Sequence, residues 1–279
     1  MIPKKSLGQN FLTNTGIVSS IVDSASLIPN ETILEIGPGK GILTEELLKR
    51  GAKVVAVEKD SDLVPFLQEK FAKEIAEKKL ILVNRDILDI VIPAKVGIRS
   101  IGTKTLDSRL RGNDEMWEKY KLVANIPYYI TGQIIRKFLT EKKQPSKMVL
   151  LVQKEVAERI VARDKKESLL SISVKTYGEP KLIKIVKAGS FTPAPSVDSA
   201  ILLIDNISRD FFKGISEERF FDVLHAGFAH KRKQLFGNLR AVFDEDILRE
   251  KMKEFGISER IRAEDVSLQE WKVLSKKTI

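Results

Sequence analysis

The 279-residue chain contains no cysteine and two histidines, His225 and His230. The first absence excludes disulfides and a thiolate nucleophile. With no sulfur ligand and only two poorly spaced histidines, no zinc site is expected. No apolar run reaches the length that spans a bilayer, and the residues after Met1 do not read as a signal peptide. The expectation is a cytoplasmic protein without membrane attachment. What is present is ordinary for a globular chain: 43% hydrophobic residues and a mean hydropathy of -0.13, with length enough for one large domain and one small one. The charge is less ordinary. Forty-eight Lys and Arg against 38 Asp and Glu give a net +10 and a pI near 9.5. That balance favours a polyanionic partner, nucleic acid first and anionic membrane second, with a merely solvated basic surface as the alternative.

The most informative stretch is Ile33-Leu-Glu-Ile-Gly-Pro-Gly-Lys-Gly41. An apolar strand runs into Glu35, glycines fall at Gly37, Gly39 and Gly41, and the helical run Ile42–Lys49 follows. A dinucleotide fingerprint would place its third glycine one residue later, where Ile42 stands. The G-x-G-x-G spacing suits a ligand without a pyrophosphate. A second strand, Lys53–Val57, ends on Glu58, about twenty residues past the first glycine, where an acid can grip ribose hydroxyls. Asp86 ends a third. Together these residues read as a site for S-adenosylmethionine.

Strand patterns fall at Thr32–Ile36, Lys53–Val57, Leu80–Val83, Tyr120–Ala124, Lys147–Val152, Lys181–Val186 and Ala200–Ile204. Helical patterns include Leu63–Lys78, Thr131–Lys142 and Lys154–Arg163. This alternation predicts an α/β fold with a parallel sheet covered on both faces, its ligand site beyond the strands' carboxyl ends. Gly37, Glu58, Asp86 and Asn125 fall at four such ends. From about Asn206 the pattern becomes helical (Glu217–Ala229, Lys233–Phe243, Asp246–Phe255 and Glu264–Lys276). The expected division is a catalytic domain over 1–205 and a small all-helical domain over 206–279. The segment Lys95–Glu115 has no sustained period; it reads as an inserted loop at about 95–117, a lid being the alternative. Deleting Gly97–Asn113 is expected to leave fold and activity nearly unchanged.

At Asn125-Ile-Pro-Tyr128 the proline ends sheet pairing. The Asn125 side-chain oxygen and the Ile126 carbonyl, both acceptors, can then bind an exocyclic amine and aim its lone pair at a methyl group. Tyr128 offers a face on which a base can stack. The same residues would also serve as a plain strand-end turn. Lys4-Lys-Ser-Leu-Gly-Gln-Asn-Phe-Leu12 combines basic, amide and aromatic groups that could close over a cofactor's methionine end. Phe191-Thr-Pro-Ala-Pro-Ser-Val-Asp-Ser199 is a Pro-flanked loop in which Phe191 is either a second stacking platform or a core residue. Lys231, Arg232 and Lys233 sit where a helix start is predicted. The helix dipole does not favour cations there, so phosphate contact is the functional reading and a solvated cluster the alternative. Arg136, Lys137, Lys142 and Lys143 would extend the basic face.

Gly8-Gln-Asn-Phe-Leu12, Glu35-Ile-Gly-Pro-Gly-Lys-Gly41, Glu58, Asp86, Asn125-Ile-Pro-Tyr128 and the Phe191–Ser199 loop resemble, in order and nearly end to end, the ribosomal RNA adenine dimethyltransferases. Gly8–Leu12 and the Pro-Ala-Pro-Ser-Val-Asp-Ser form look like the small-subunit, housekeeping branch. The large-subunit, macrolide-resistance branch is the near alternative; a non-catalytic RNA-binding relative and a small-molecule or protein methyltransferase are more distant ones. The Lys95–Glu115 insertion departs from the family pattern. The resemblance implies a Rossmann-like methyltransferase domain and a helical domain that helps hold RNA. It further implies that Asn10 and Leu12 flank the cofactor, Gly37 passes beside it, Glu58 binds its ribose and Asp86 its adenine amine. Asn125 would touch the cofactor and, with Pro127 and Tyr128, hold the target adenine, Phe191 packing on its other face. Lys231, Arg232 and Lys233 would contact the RNA. The implied reaction is dimethylation of two adjacent adenosines near the 3′ end of small-subunit (16S) RNA during ribosome biogenesis, by a monomer acting on an assembling 30S particle.

Overall fold

The computed structural model describes residues 3–4, 7–92 and 117–276; Lys95–Glu115 lies outside the described residues. These divide into two compact units, Met1–Ala157 with Lys181–Ile207, and Glu158–Pro180 with Ser208–Ile279.

In chain order the first unit holds β1 (Phe11–Leu12), α1 (Thr15–Ala25), β2 (Thr32–Ile36), α2 (Ile42–Lys49), β3 (Lys53–Glu58), α3 (Val64–Lys70), α4 (Ala72–Ala76) and β4 (Leu80–Asn84). After the undescribed segment come β5 (Tyr120–Asn125), α5 (Thr131–Thr140), β6 (Lys147–Gln153) and α6 (Lys154–Val161), the last crossing into the second unit. Next in the chain come α7 (Leu169–Lys175), which belongs to the second unit, and then β7 (Glu179–Val186), β8 (Phe191–Thr192) and β9 (Ser199–Asp205). Seven strands form one sheet in the order β4-β3-β2-β5-β6-β9-β7. The pairings from β4 to β6 are parallel. β9 runs antiparallel to β6, with Leu151 opposite Ile201. The sheet is therefore mixed, not parallel throughout as the alternation implied. An apolar run such as Ala200–Ile204 is buried on both faces whichever way it points, so its pattern carries no direction.

Burial along β2 is unbroken, so both of its faces are covered. One face carries Ile33, Val54, Ala56, Leu82, Val123 and Val149, which share a core with Ile21, Val22, Leu43 and Leu47 of α1 and α2. α1 starts where the Asn14 side chain accepts the Ile17 N–H at 3.1 Å and ends at Ser26, whose φ is +50°. The long helix expected over Leu63–Lys78 is interrupted at Phe71, which has φ -112° and ψ 27° and separates α3 from α4. β3 lies on one side of β2 and β5 on the other. The chain thus leaves β2 at the point where strand order reverses, which opens a crevice at the carboxyl ends.

The second unit contains α7, α8 (Glu217–Gly227), α9 (Leu235–Leu239), α10 (Glu245–Glu254) and α11 (Leu268–Ser275). Side chains cap four of these five: Ser168 on α7, Ser216 on α8, Asp244 on α10 and Ser267 on α11. Trp271, Phe220, Leu224, Leu235 and Met252 are fully buried. Residues 158–180, which the sequence reading kept in the catalytic domain, group with these helices. Several contacts join them: the Tyr177 ring lies 5.2 Å from Phe212 and 6.1 Å from Phe221, centroid to centroid, its hydroxyl donates to Glu217 at 2.5 Å, and the Glu167 N–H donates to the Glu264 carbonyl at 2.8 Å. Among the described residues no helix is long and apolar enough to cross a membrane.

Candidate active site

The loop leaving β2 turns through three left-handed glycines, Gly37, Gly39 and Gly41, at φ +65°, +57° and +76°. At Gly41 a Cβ would lie 2.6 Å from the Phe71 ring, so a side chain there would have to displace that ring as well as hold a left-handed backbone. At Gly39 a Cβ would press on Phe11 at 3.0 Å. The loop is tied to the neighbouring strand: the Gly37 N–H donates to the Val57 carbonyl at 2.9 Å, and the Gly39 N–H to Glu58 Oε2 at 3.1 Å.

Glu58 is 5% exposed. Its Oε1 accepts the Asp60 N–H at 2.8 Å. Burial pushes the carboxyl up, and these backbone donors partly offset it. Asp86, after β4, accepts the Leu88 N–H at 2.9 Å and pairs with Lys59 at 2.9 Å. At the end of β5 the Asn125 amide nitrogen donates to the Asn10 carbonyl at 3.1 Å. That bond orients the side chain and leaves Oδ1 as the acceptor for a ligand. The Tyr128 hydroxyl is pinned to Ser199 Oγ at 2.7 Å, which fixes its ring.

One cavity of about 1060 Å³, open mouth included, is lined by Gly37, Glu58 and Asp86 and by Asn125, Pro127 and Tyr128. Asn10, Leu12 and Phe191 line it too. The last three meet because β1 pairs antiparallel with β8, Leu12 facing Phe191. This two-stranded ribbon was not predicted; two residues per strand carry no periodicity. Phe191 is 4% exposed and belongs to the apolar core as well as to the cavity wall. Lys231, Arg232 and Lys233 do not line the cavity. They lie in the second unit, exposed, in the turn before α9. The helix predicted to start at Lys233 starts at Leu235, so the helix-start argument for these cations does not apply.

Among the lining residues not assigned a role from the sequence, two stand out. Tyr129 is 59% exposed, and the Tyr128-Tyr129 pair was its available signal. Glu35 is the other: it is 1% exposed, and neither carboxyl oxygen has a hydrogen-bond partner. Burial raises it to about 8, with Thr44 acting against the shift and Glu58 adding to it. An orphaned buried carboxyl in the wall, beside acceptors at Glu58, Asp86 and Asn125, fits a ligand rich in donors and bearing positive charge. Among the described residues no group of three or more His, Cys, Asp or Glu could hold a metal ion.

The chain matches the ribosomal RNA adenine dimethylase family over residues 3–278. It is 41% identical over 273 residues to the ribosomal RNA small subunit methyltransferase A of Dehalococcoides mccartyi strain CBDB1, covering 97% of this chain and 87% of that protein. A dimethyladenosine transferase from Plasmodium falciparum has a similar structure, with TM-score 0.75, 23% identity and 95% of each chain covered. The 23S rRNA methyltransferase ErmE aligns at TM-score 0.74 and 24% identity, covering 95% of this chain and 98% of that one. At these identities the two structures establish the fold alone.

Proposed function

The chain belongs to the ribosomal RNA adenine dimethylase family, and from that premise we propose that it dimethylates the exocyclic amines of two adjacent adenosines in a hairpin near the 3′ end of small-subunit RNA. The reading takes S-adenosylmethionine as methyl donor and an assembling 30S particle as the natural substrate. Bound in the cavity, that donor supplies an electrophilic methyl on a sulfonium.

This chain's residues do the rest. Glu58 accepts the ribose hydroxyls and Asp86 the donor's adenine amine. Asn125 Oδ1 and the Ile126 carbonyl take the two hydrogens of the target amine, so that its lone pair points at the methyl. Tyr128, its hydroxyl held by Ser199, stacks on the flipped base, a contact worth ~1–3 kcal/mol. Phe191 closes the other side. The amine loses its proton after attack, so no strong general base is needed, and positioning supplies most of the acceleration.

The observation that carries this reading is the bond from the Asn125 amide to the Asn10 carbonyl. It turns an acceptor toward the cavity that Glu58 and Asp86 also line. The name of the 41% identical relative favours the small subunit over the large one, and the intact acceptor motif favours an enzyme over a non-catalytic relative. Mass mapping of dimethylated adenosines in both ribosomal RNAs, with and without the gene, tests the assignment. Loss of the modification from large-subunit RNA alone would overturn it.

A further inference from the structure

Lys4 and residues 7–12 form an arm that is fastened to both halves of the cavity. At one half the anchor is Asp60, which is 5% exposed. Its Oδ1 accepts Lys4 Nζ at 2.6 Å and the Asp62 N–H at 3.1 Å, and its Oδ2 accepts Gln9 Nε2 at 2.8 Å. Gln9 Oε1 in turn accepts the Lys4 N–H at 2.8 Å. Asp60 is also joined to the ribose-binding position, because its own N–H donates to Glu58 Oε1. At the other half, β1 pairs with β8, and the Asn10 carbonyl holds the Asn125 amide. The arm therefore runs from the strand end that carries Glu58 to the one that carries Asn125.

Burial alone would raise the Asp60 carboxyl, but Lys4 and Gln9 outweigh it and hold it below the ordinary aspartate range. Lifting the arm would break the Lys4–Asp60 ion pair and the Gln9–Asp60 hydrogen bond together, leaving water as the only replacement for both donors. Arm closure is thereby tied to Asp60 more strongly than the contacts of Phe11 and Leu12 alone would make it. We propose that Asp60 is a positioning residue that makes closure of the N-terminal arm and alignment of Asn125 one event, so that the acceptor subsite is set only when the arm is latched over the cofactor subsite. The proposal rests on the assignment of these two subsites given above.

The test compares wild type with Asp60→Asn, Lys4→Met and the conservative Lys4→Arg. Hydrogen exchange of the peptide covering residues 7–14 is read first, in the cofactor-free proteins. The expected result is exchange at least tenfold faster in Asp60→Asn and Lys4→Met, unchanged exchange in the β2–β6 sheet, and wild-type behaviour in Lys4→Arg. The Asn125 side-chain amide resonance should move to the position of a free amide in the first two variants. Single-turnover methylation at saturating S-adenosylmethionine should fall tenfold or more in Asp60→Asn, with KM for RNA within twofold. Unchanged arm exchange in both Asp60→Asn and Lys4→Met would overturn the latch. A released arm with an unmoved Asn125 resonance would overturn the coupling. Failure of the wild type to bind S-adenosylmethionine would count against the assigned function instead, while exchange in the cofactor-free protein would still decide the latch.

Discussion

Glu35 and Glu58 project from neighbouring parallel strands into one cavity, yet Glu58 has both oxygens hydrogen-bonded and Glu35 has neither. The difference follows from the turn each strand makes. After β3 the chain folds back, so that the Asp60 N–H meets Glu58, and the glycine loop brings in the Gly39 N–H. Glu35 lies two residues before Gly37, inside the strand; the donors that face it, the Thr44 hydroxyl and N–H in the first turn of α2, lower it without completing a hydrogen bond. Thr44, buried beside it, also has no hydrogen-bond partner.

A pH dependence follows for the cofactor-free protein. Burial raises Glu35 from 4.5 to about 8, so between those values the folded protein holds a proton that the unfolded chain has lost. The contribution to stability is fully present below the lower value and disappears as pH rises through the upper one. Its slope approaches ~1.4 kcal/mol per pH unit. Glu35→Gln removes the titration. From pH 6 to pH 8, wild-type Tm should fall relative to that variant by on the order of 5 °C. Parallel melting curves would remove Glu35 as the cause. A cationic sulfonium favours the ionised carboxyl, so S-adenosylmethionine binding should also release a proton. Calorimetry in buffers of different ionisation enthalpy would read that release, and the neutral thioether product should show none.

Glu58→Gln should weaken cofactor binding ~10–100-fold, by weakening one hydrogen bond to a charged acceptor worth ~1.5–3 kcal/mol. Glutamine keeps an oxygen for only one of the two N–H groups that Glu58 accepts, from Gly39 and from Asp60, so far-UV circular dichroism is recorded alongside to check the fold; Glu58→Ala should weaken binding further. Unchanged affinity by calorimetry in the folded variant would take Glu58 out of the site.

Asn125→Ala should lower the methylation rate ~100–1,000-fold, the range for removing one preorganised polar group aimed at the reacting centre. Cofactor affinity should be nearly unchanged, because Glu58 and Asp86 remain. Near-normal turnover would sink the role given to the Asn125 oxygen.

Six of the seven strands of the large sheet were legible as apolar runs bounded by turn or charged residues, and the edge strand β7 by its β-branched residues between lysines. Glu58 and Asn125 were legible because they end such runs, and Asp86 because it follows one by two residues. Three features were not. The direction of β9 leaves no trace in its burial pattern. The β1–β8 ribbon pairs Leu12 with Phe191, residues far apart in the chain and without local periodicity. The assignment of residues 158–180 to the second unit depends on contacts distant in the chain, Tyr177 with phenylalanines more than thirty residues later and Lys166 and Glu167 with Glu264. The roles proposed for Glu35 and Asp60 also had to wait. An acid in a strand-end motif looks the same whether its oxygens are bonded, orphaned or latched to a distant lysine.

How RNA is held is the remaining question, and Lys231, Arg232 and Lys233 give a sharp answer to test. All three are exposed in the turn between α8 and α9. One flipped adenine offers too little contact to select a site in a ribosomal RNA, so affinity must come largely from phosphates. Neutralising all three residues should weaken RNA or subunit binding and flatten its salt dependence. The slope should drop by about 2 to 3 in log–log units, at ~0.7 per phosphate contact on single strands and ~0.9 on duplex. Cofactor affinity should not move, because none of the three lines the cavity. Binding measured at several salt concentrations for wild type and the triple variant decides the matter. Equal slopes would mean that these cations face only solvent and that the basic surface of this protein grips RNA elsewhere.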